Sequence, residues 1–201
     1  MNAVKIYDIS QEVFGCVVFP GDPAPKKQTL SSMAEGELYN LTAMSMCAHN
    51  GTHVDAPYHF INDGKTIDKI ALSSTIGWAF VAEWDGILTA KDAEAVLDTA
   101  AKFSADAAKR ILLKGKTTVS PGAAQVFADA GVALVGNESQ TVGPEDSPME
   151  VHRILLGSDA VLLEGIRLQD VPEGVYWLNA APLSLGGCDG APCRAVLVRF
   201  E

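Results

Sequence analysis

Paired cysteines, long apolar runs and positive charge are what this sequence has little of. Its four cysteines, Cys16, Cys47, Cys188 and Cys193, form no CxxC pair, and the nearest two are five positions apart. That spacing fits neither a zinc finger nor a disulfide framework, so reduced thiols in a cytoplasmic protein are the simplest expectation. No stretch approaches the ~20 apolar residues of a membrane span. Met1 to Ser10 lacks the basic head and apolar run of a signal peptide, and Asp8 interrupts it early. Lysine and arginine total 15 against 25 aspartates and glutamates, a formal net charge of −10. Such a surface repels phosphate backbones and anionic membranes, so neither nucleic acid nor a membrane is expected as a partner.

What is present is ordinary globular composition: 201 residues, 48% hydrophobic and 20% charged. With no internal repeat or long linker, the expectation is one domain over residues 1–201 with its own core. The N-terminal third reads as strands and loops. Val4 to Ile9 is a short apolar run, Phe19-Pro20-Gly21-Asp22-Pro23 a turn cluster, and Leu38 to Met46 a strand candidate. The middle alternates. Trp78 to Trp84 reads as a buried strand, and Thr89 with Asp92 resembles a capping box opening a helix over Lys91 to Ala101. Arg110 to Leu113 is a strand, Ser120-Pro121 starts a helix that Gly131 ends, and Val132 to Val135 is a strand. Met149 to Leu156 reads as a helix and Ala160 to Leu163 as a strand, with closing strands at Val175 to Leu183 and Arg194 to Phe200. The fold class this gives is α/β, a mixed sheet with flanking helices.

The informative segment is His49-Asn50-Gly51-Thr52-His53-Val54-Asp55-Ala56-Pro57-Tyr58-His59, which holds three of the four histidines. Imidazole nitrogen and carboxylate oxygen are the ligands of catalytic Zn, Mn, Fe or Ni sites. A spacing of four would put His49 and His53 on one helix face, but Gly51 and Pro57 argue for a tight loop after a strand. Such a loop can converge His49, His53 and Asp55 on one ion. The fourth histidine, His152, and Glu164 lie beside apolar runs. A Glu ending a buried run needs a partner or a cation, so these two read as a second pair of N/O ligands.

The span His49 to His59 resembles the HxGTHxDxPxH pattern of the metal-dependent cyclase-like hydrolases, the family of bacterial kynurenine formamidase and isatin hydrolase. Asp8-Ile9-Ser10 with Phe19 to Pro23 is similar to the family's opening. His152 with Leu155-Leu156 and Glu164 resembles its second metal-binding segment. Val171 to Gly174, Pro182-Leu183 and Asp189 to Leu197 resemble its C-terminal end. The resemblance implies a swivelling β/β/α fold and a homodimer or higher homo-oligomer. It implies one or two divalent ions, Zn or Mn, with His49, His53 and Asp55 at the first and Asp55, His152 and Glu164 at the second. His59 would be the acid/base residue. One loop departs from the pattern. Where the family often has Gly-Ile-Asp followed by Thr-Pro-Ser, this chain has Gly136-Asn137-Glu138-Ser139-Gln140, and Gly143 stands where an Asp is common.

The expected chemistry is hydrolysis of a small molecule at an amide-type C–N bond, an aryl formamide first. A divalent ion lowers the pKa of bound water from about 15.7 toward ~7. His59 can carry a proton to the leaving nitrogen, although a third ligand or a residue orienting one are the other roles open to it. Lactam, lactone or cyclic imide hydrolysis is the neighbouring reading, followed by a cyclase or lyase. A non-catalytic metal-binding protein is the remaining one. Phe14, Phe19, Tyr58, Phe60 and Trp84 are either pocket walls or plain core. Cys47 is a ligand candidate or a buried strand cysteine, and Arg194 pairs with a substrate carboxylate or with an acid of the chain itself.

Overall fold

The structure is a computed structural model that describes residues 4–200. In chain order its strands and helices are β1 (Val4–Asp8), β2 (Lys26–Ser31), β3 (Leu41–Ser45), β4 (His53–Asp55), α1 (Leu72–Thr75), β5 (Ile76–Glu83), β6 (Gly86–Leu88) and α2 (Ala90–Phe103). There follow β7 (Arg110–Lys114), β8 (Thr117–Val119), α3 (Pro121–Asp129), β9 (Leu134–Asn137), α4 (Met149–Gly157), β10 (Val161–Glu164), β11 (Gly174–Asn179), β12 (Gly190–Pro192) and β13 (Val196–Phe200). Nine strands form one mixed sheet in the order β1-β13-β11-β5-β7-β9-β10-β4-β12. The central β5, β7, β9 and β10 run parallel. Antiparallel strands flank them on both sides. The expected mixed α/β sheet with flanking helices is the observed architecture.

The central strands read as unbroken apolar runs because both faces are covered. Their side chains alternate between two cores. Phe80, Ala82, Ile111, Leu113 and Leu162 face α2, α3 and α4, where they meet Val96, Ala123, Phe127, Val151 and Leu155. Ala79, Val81, Leu112, Val161 and Leu163 point the other way, onto Ile67, Ile166, Leu168 and Tyr176. Helix α2 begins as its sequence signals: the Asp92 carboxylate accepts from both the Thr89 amide and hydroxyl. Helix α3 has the Ser120 hydroxyl accepting from the Ala123 amide, with Pro121 in its first turn. The strand expected over Val175 to Leu183 ends at Asn179. Pro182, with no N–H to donate, contributes only an isolated bridge to Cys193.

Two pairings position the chemistry. Strand β4 lies between β10 and β12, with His53 opposite Glu164 and Asp55 opposite Leu162. Two-residue alternation puts His53 and Asp55 on one face and Val54 on the other. That face is the one on which α4 packs.

Candidate metal centre

His53 and Asp55 therefore project from a short buried strand, and His49 from the turn before it. His49 comes close because β12 carries a glycine there: a Cβ on Gly190 would stand 2.8 Å from His49 Cε1. His59 follows from the turn over Pro57–His59, His152 from α4, and Glu164 from the end of β10. All six side chains singled out in the sequence meet at one place.

Asp55 is the hub. Its Oδ1 lies 2.8 Å from His49 Nδ1 and 3.4 Å from His53 Nε2, and its Oδ2 3.7 Å from His152 Nε2. Glu164 places Oε2 3.5 Å from His53 Nε2 and Oε1 3.3 Å from His152 Nε2. Two triads of ligand-type atoms share Asp55: His49/Asp55/His59 and His53/Asp55/Glu164, each spanning no more than 4.8 Å. His59 thus lies with His49, and His53 turns toward Glu164.

The tautomers are set from behind. His53 Nδ1 is 3.1 Å from the Gly51 carbonyl and His152 Nδ1 2.9 Å from that of Pro148. An Nδ1–H donating to each carbonyl aims both Nε2 atoms at the carboxylates, as donors while they carry a proton and as ligand nitrogens once an ion displaces it. Asp55 Oδ2 is buried and has no hydrogen-bond donor. A carboxylate oxygen left bare in a buried nest of imidazoles, with a second carboxylate beside it, fits a divalent cation.

The charges agree. Burial alone would depress His49 and His53. The hydrogen bonds and charge of Asp55, with Glu164 at His53 and Asp189 at His49, outweigh it and raise them to about 9 and about 10. His152 is likewise raised, by Glu164 and Asp55 against burial. Burial opposes ionisation of Asp55, but His49 and His53 hold its carboxyl well below the usual range. Of the four histidines only His59 is lowered, and burial is the main cause.

Asp189 was not singled out from the sequence. Its Oδ2 reaches His49 Nε2 at 2.8 Å and His59 Nδ1 at 3.1 Å. The available signal was an acid beside a glycine in Gly187-Cys188-Asp189-Gly190. A cavity of about 210 Å³ opens on the cluster, with Phe19, Phe60, Gln140 and Thr141 in its wall. Of the aromatics weighed above, Phe19 and Phe60 line it, while Trp84 packs on the helical core and Phe14 and Tyr58 are exposed. Cys47 Sγ faces Asp22 at 3.8 Å and stands outside both triads. Arg194 pairs with Asp8 at the surface, 2.5 Å apart, so its partner is an acid of the chain itself.

The Cyclase family model, described as "Putative cyclase", matches residues 7–144. The chain belongs to this family. A kynurenine formamidase of Salinibacter ruber is 35% identical over 210 residues, covering 96% of this chain and 97% of the relative. A solved structure described as a potential metal-dependent hydrolase with cyclase activity superposes with a TM-score of 0.80 at 28% identity, over 99% of this chain and all of the other. Isatin hydrolase A from Ralstonia solanacearum shares the fold, with a TM-score of 0.80 at 19% identity over 98% of this chain and 92% of its own.

Proposed function

We propose that this chain is a metal-dependent hydrolase that cleaves the C–N bond of an aryl formamide such as N-formylkynurenine. The observation that carries the reading is the convergence of four histidines, Asp55 and Glu164 on one small cavity. The resemblance to kynurenine formamidases over nearly the whole chain selects the bond class. One or two ions, Zn or Mn, would be held by His49, His53 and Asp55, and by Asp55, His152 and Glu164. When bound, such an ion supplies Lewis acidity, polarising a carbonyl and making water a stronger acid at neutral pH.

The chain's own residues do the rest. His59 has Nδ1 directed at Asp189, so its Nε2 is the proton carrier. Burial keeps its imidazole neutral at physiological pH, the form that accepts a proton from attacking water. It then hands that proton to the leaving nitrogen, which departs poorly without it. Asp189 holds the ring in place. Phe60 packs edge-on against His59 at 4.6 Å and lies 4.7 Å from His152, shielding both from bulk water.

Residues 1–201 act as one domain in this reading, in the cytoplasm, which suits four free cysteines. Homo-oligomerisation is supported by the β2–β3 hairpin, where Leu30, Met33, Leu38, Leu41 and Met44 are exposed. The test is kcat/KM side by side for N-formylkynurenine, a simple formanilide, a cyclic imide and an alkyl ester, on protein of measured metal content. The formamides should be cleaved fastest. Rapid opening of the cyclic imide with no formamide cleavage would move the chain to the cyclic-amide reading, and metal-free protein that takes up no Zn or Mn would overturn both.

A further inference from the structure

On the helical side of the large sheet the cover is incomplete. Helices α2, α3 and α4 pack over the central strands, where Phe80 of β5 is buried. Trp78, on the same face of β5, is half-buried, and Trp177 beside it on β11 is exposed. Beyond β11 lie β13 and β1, at the edge of the sheet. Register puts Ile6, Val198, Trp177 and Trp78 in one row across four strands, with Val4 opposite Phe200 beside it. Partners in an antiparallel register point to the same side, so all six share this face. Ile6 is 65% exposed, Phe200 56% and Val4 53%.

An antiparallel sheet with one face in water alternates apolar-in with polar-out. Strands β1, β13 and β11 depart from that rule. Their inward residues Tyr7, Leu197, Tyr176 and Leu178 are buried, and their outward residues are apolar as well. Among the described residues of these strands, the polar side chains on the outward side are Asp8 and Asn179, both at one end. Asp8 is already paired with Arg194. The rings on this face join up: Trp78 meets Trp177 edge-on at 5.6 Å and Phe200 at 6.0 Å.

We infer that this face is a self-association surface, on which the same face of a second copy of the chain packs about a twofold axis. Charge and area select the occupant. At a net charge of −10, two copies repel over most of their surface and can approach closely where charge is absent. A twofold axis sets the patch against itself, so apolar surface meets apolar surface. At about 150–250 Å² for a large side chain, the exposed parts of the row, of Val4 and Phe200, and of Phe103 stacked on Phe80 at the rim come to roughly 600 Å² per chain. Two copies together then bury about 1,200 Å², the lower bound for a specific, stable interface. The two sheets would lie about 10 Å apart with strand directions within about 30°. This surface is separate from the β2–β3 hairpin, which forms a two-stranded sheet of its own, and it does not depend on the reaction catalysed.

The test is sedimentation velocity of the full chain at micromolar concentration. Wild-type protein should associate. Ile6→Glu sets like charges against each other in an apolar contact and should weaken that association roughly 10²-fold or more, and Ile6→Lys should do the same. In a patch this small Ile6 of each copy lies near the axis. The two variants mixed in equal amounts should therefore reassociate, since a carboxylate then faces an ammonium. Recovery on mixing also shows that each variant is folded. Val4→Glu and Val4→Lys, at the open end of the same face, repeat the experiment with a second pair. Leu38→Glu, on the hairpin, should leave the Ile6-sensitive step in place. A monomeric wild type overturns the inference, and so does an assembly that both Ile6→Glu and Val4→Glu leave intact. Loss that mixing restores for neither pair overturns it too. An assembly abolished by Leu38→Glu and indifferent to Ile6→Glu belongs to the hairpin, and this face is then not where copies meet.

Discussion

Metal uptake should release protons, because the side chains assigned to the ion hold them in the metal-free protein. Burial works against a charge on His49 and His53, yet contact with Asp55, Glu164 and Asp189 raises them to about 9 and about 10. At pH 7.5 both imidazoles are protonated, about 1.5 and 2.5 pH units below their midpoints. An ion that takes their lone pairs must displace both protons. At about 1.4 kcal/mol per unit the competition amounts to roughly 5 kcal/mol, or up to about 10⁴-fold in apparent affinity. Both protons lean on the same Asp55 carboxylate, so this is an upper bound. The sign follows directly: affinity tightens as pH rises, by up to about 100-fold per unit for two protons, and the dependence fades above about pH 10. The assay is calorimetric titration of chelator-treated protein with Zn or Mn at pH 6.5, 7.5 and 8.5, in two buffers of different ionisation enthalpy. About two protons should leave per ion at pH 7.5. Uptake with no proton release and an affinity indifferent to pH would refute the reasoning, since it would mean that His49 and His53 hold no protons for the ion to displace.

The same shifts give the metal-free protein a stability that falls with pH. The contribution of His49 and His53 is full below their ordinary value of 6.5 and is lost as pH passes about 9 and 10; a melting temperature of stripped protein that rises across this window contradicts it. His59→Ala should retain its metal and lose about 10²–10⁴-fold in turnover, the usual worth of acid/base help. Asp189→Asn, which removes the charge that orients His59, should lose about 10–100-fold. Normal rates with normal metal content would remove either residue from the mechanism. Gly165→Ala should destabilise by about 1–3 kcal/mol in urea unfolding. Its φ is +67° and a Cβ there would lie 2.5 Å from the Gly51 carbonyl oxygen, directly behind Glu164. Unchanged stability would show that the local backbone yields.

The sequence by itself marked the candidate donor residues and determined the class of fold. Four histidines in 201 residues, three of them within eleven, leave few other arrangements. The apolar runs of β5, β7 and β10 and the caps of α2 and α3 are local signals, and they lie where the local chemistry put them. Tertiary structure decided what depends on chain segments distant in sequence. Strands β4 and β12 are three residues each, too short to show any periodicity, yet the pairing of β4 with β10 sets His53 against Glu164, and its pairing with β12 sets Gly190 against Asp55. The first pairing turns His53 toward the second carboxylate and leaves His49 with His59. Asp189 reaches His49 from 140 positions away, and no local pattern marks such a contact. Ile6, Trp177 and Val198 are ordinary strand residues in the sequence. They share a surface only because β1, β13 and β11 pair in one register. Local spacing fixes which atoms are available for chemistry, while register and loop anchoring, formed between residues far apart in the chain, fix which of them face one another.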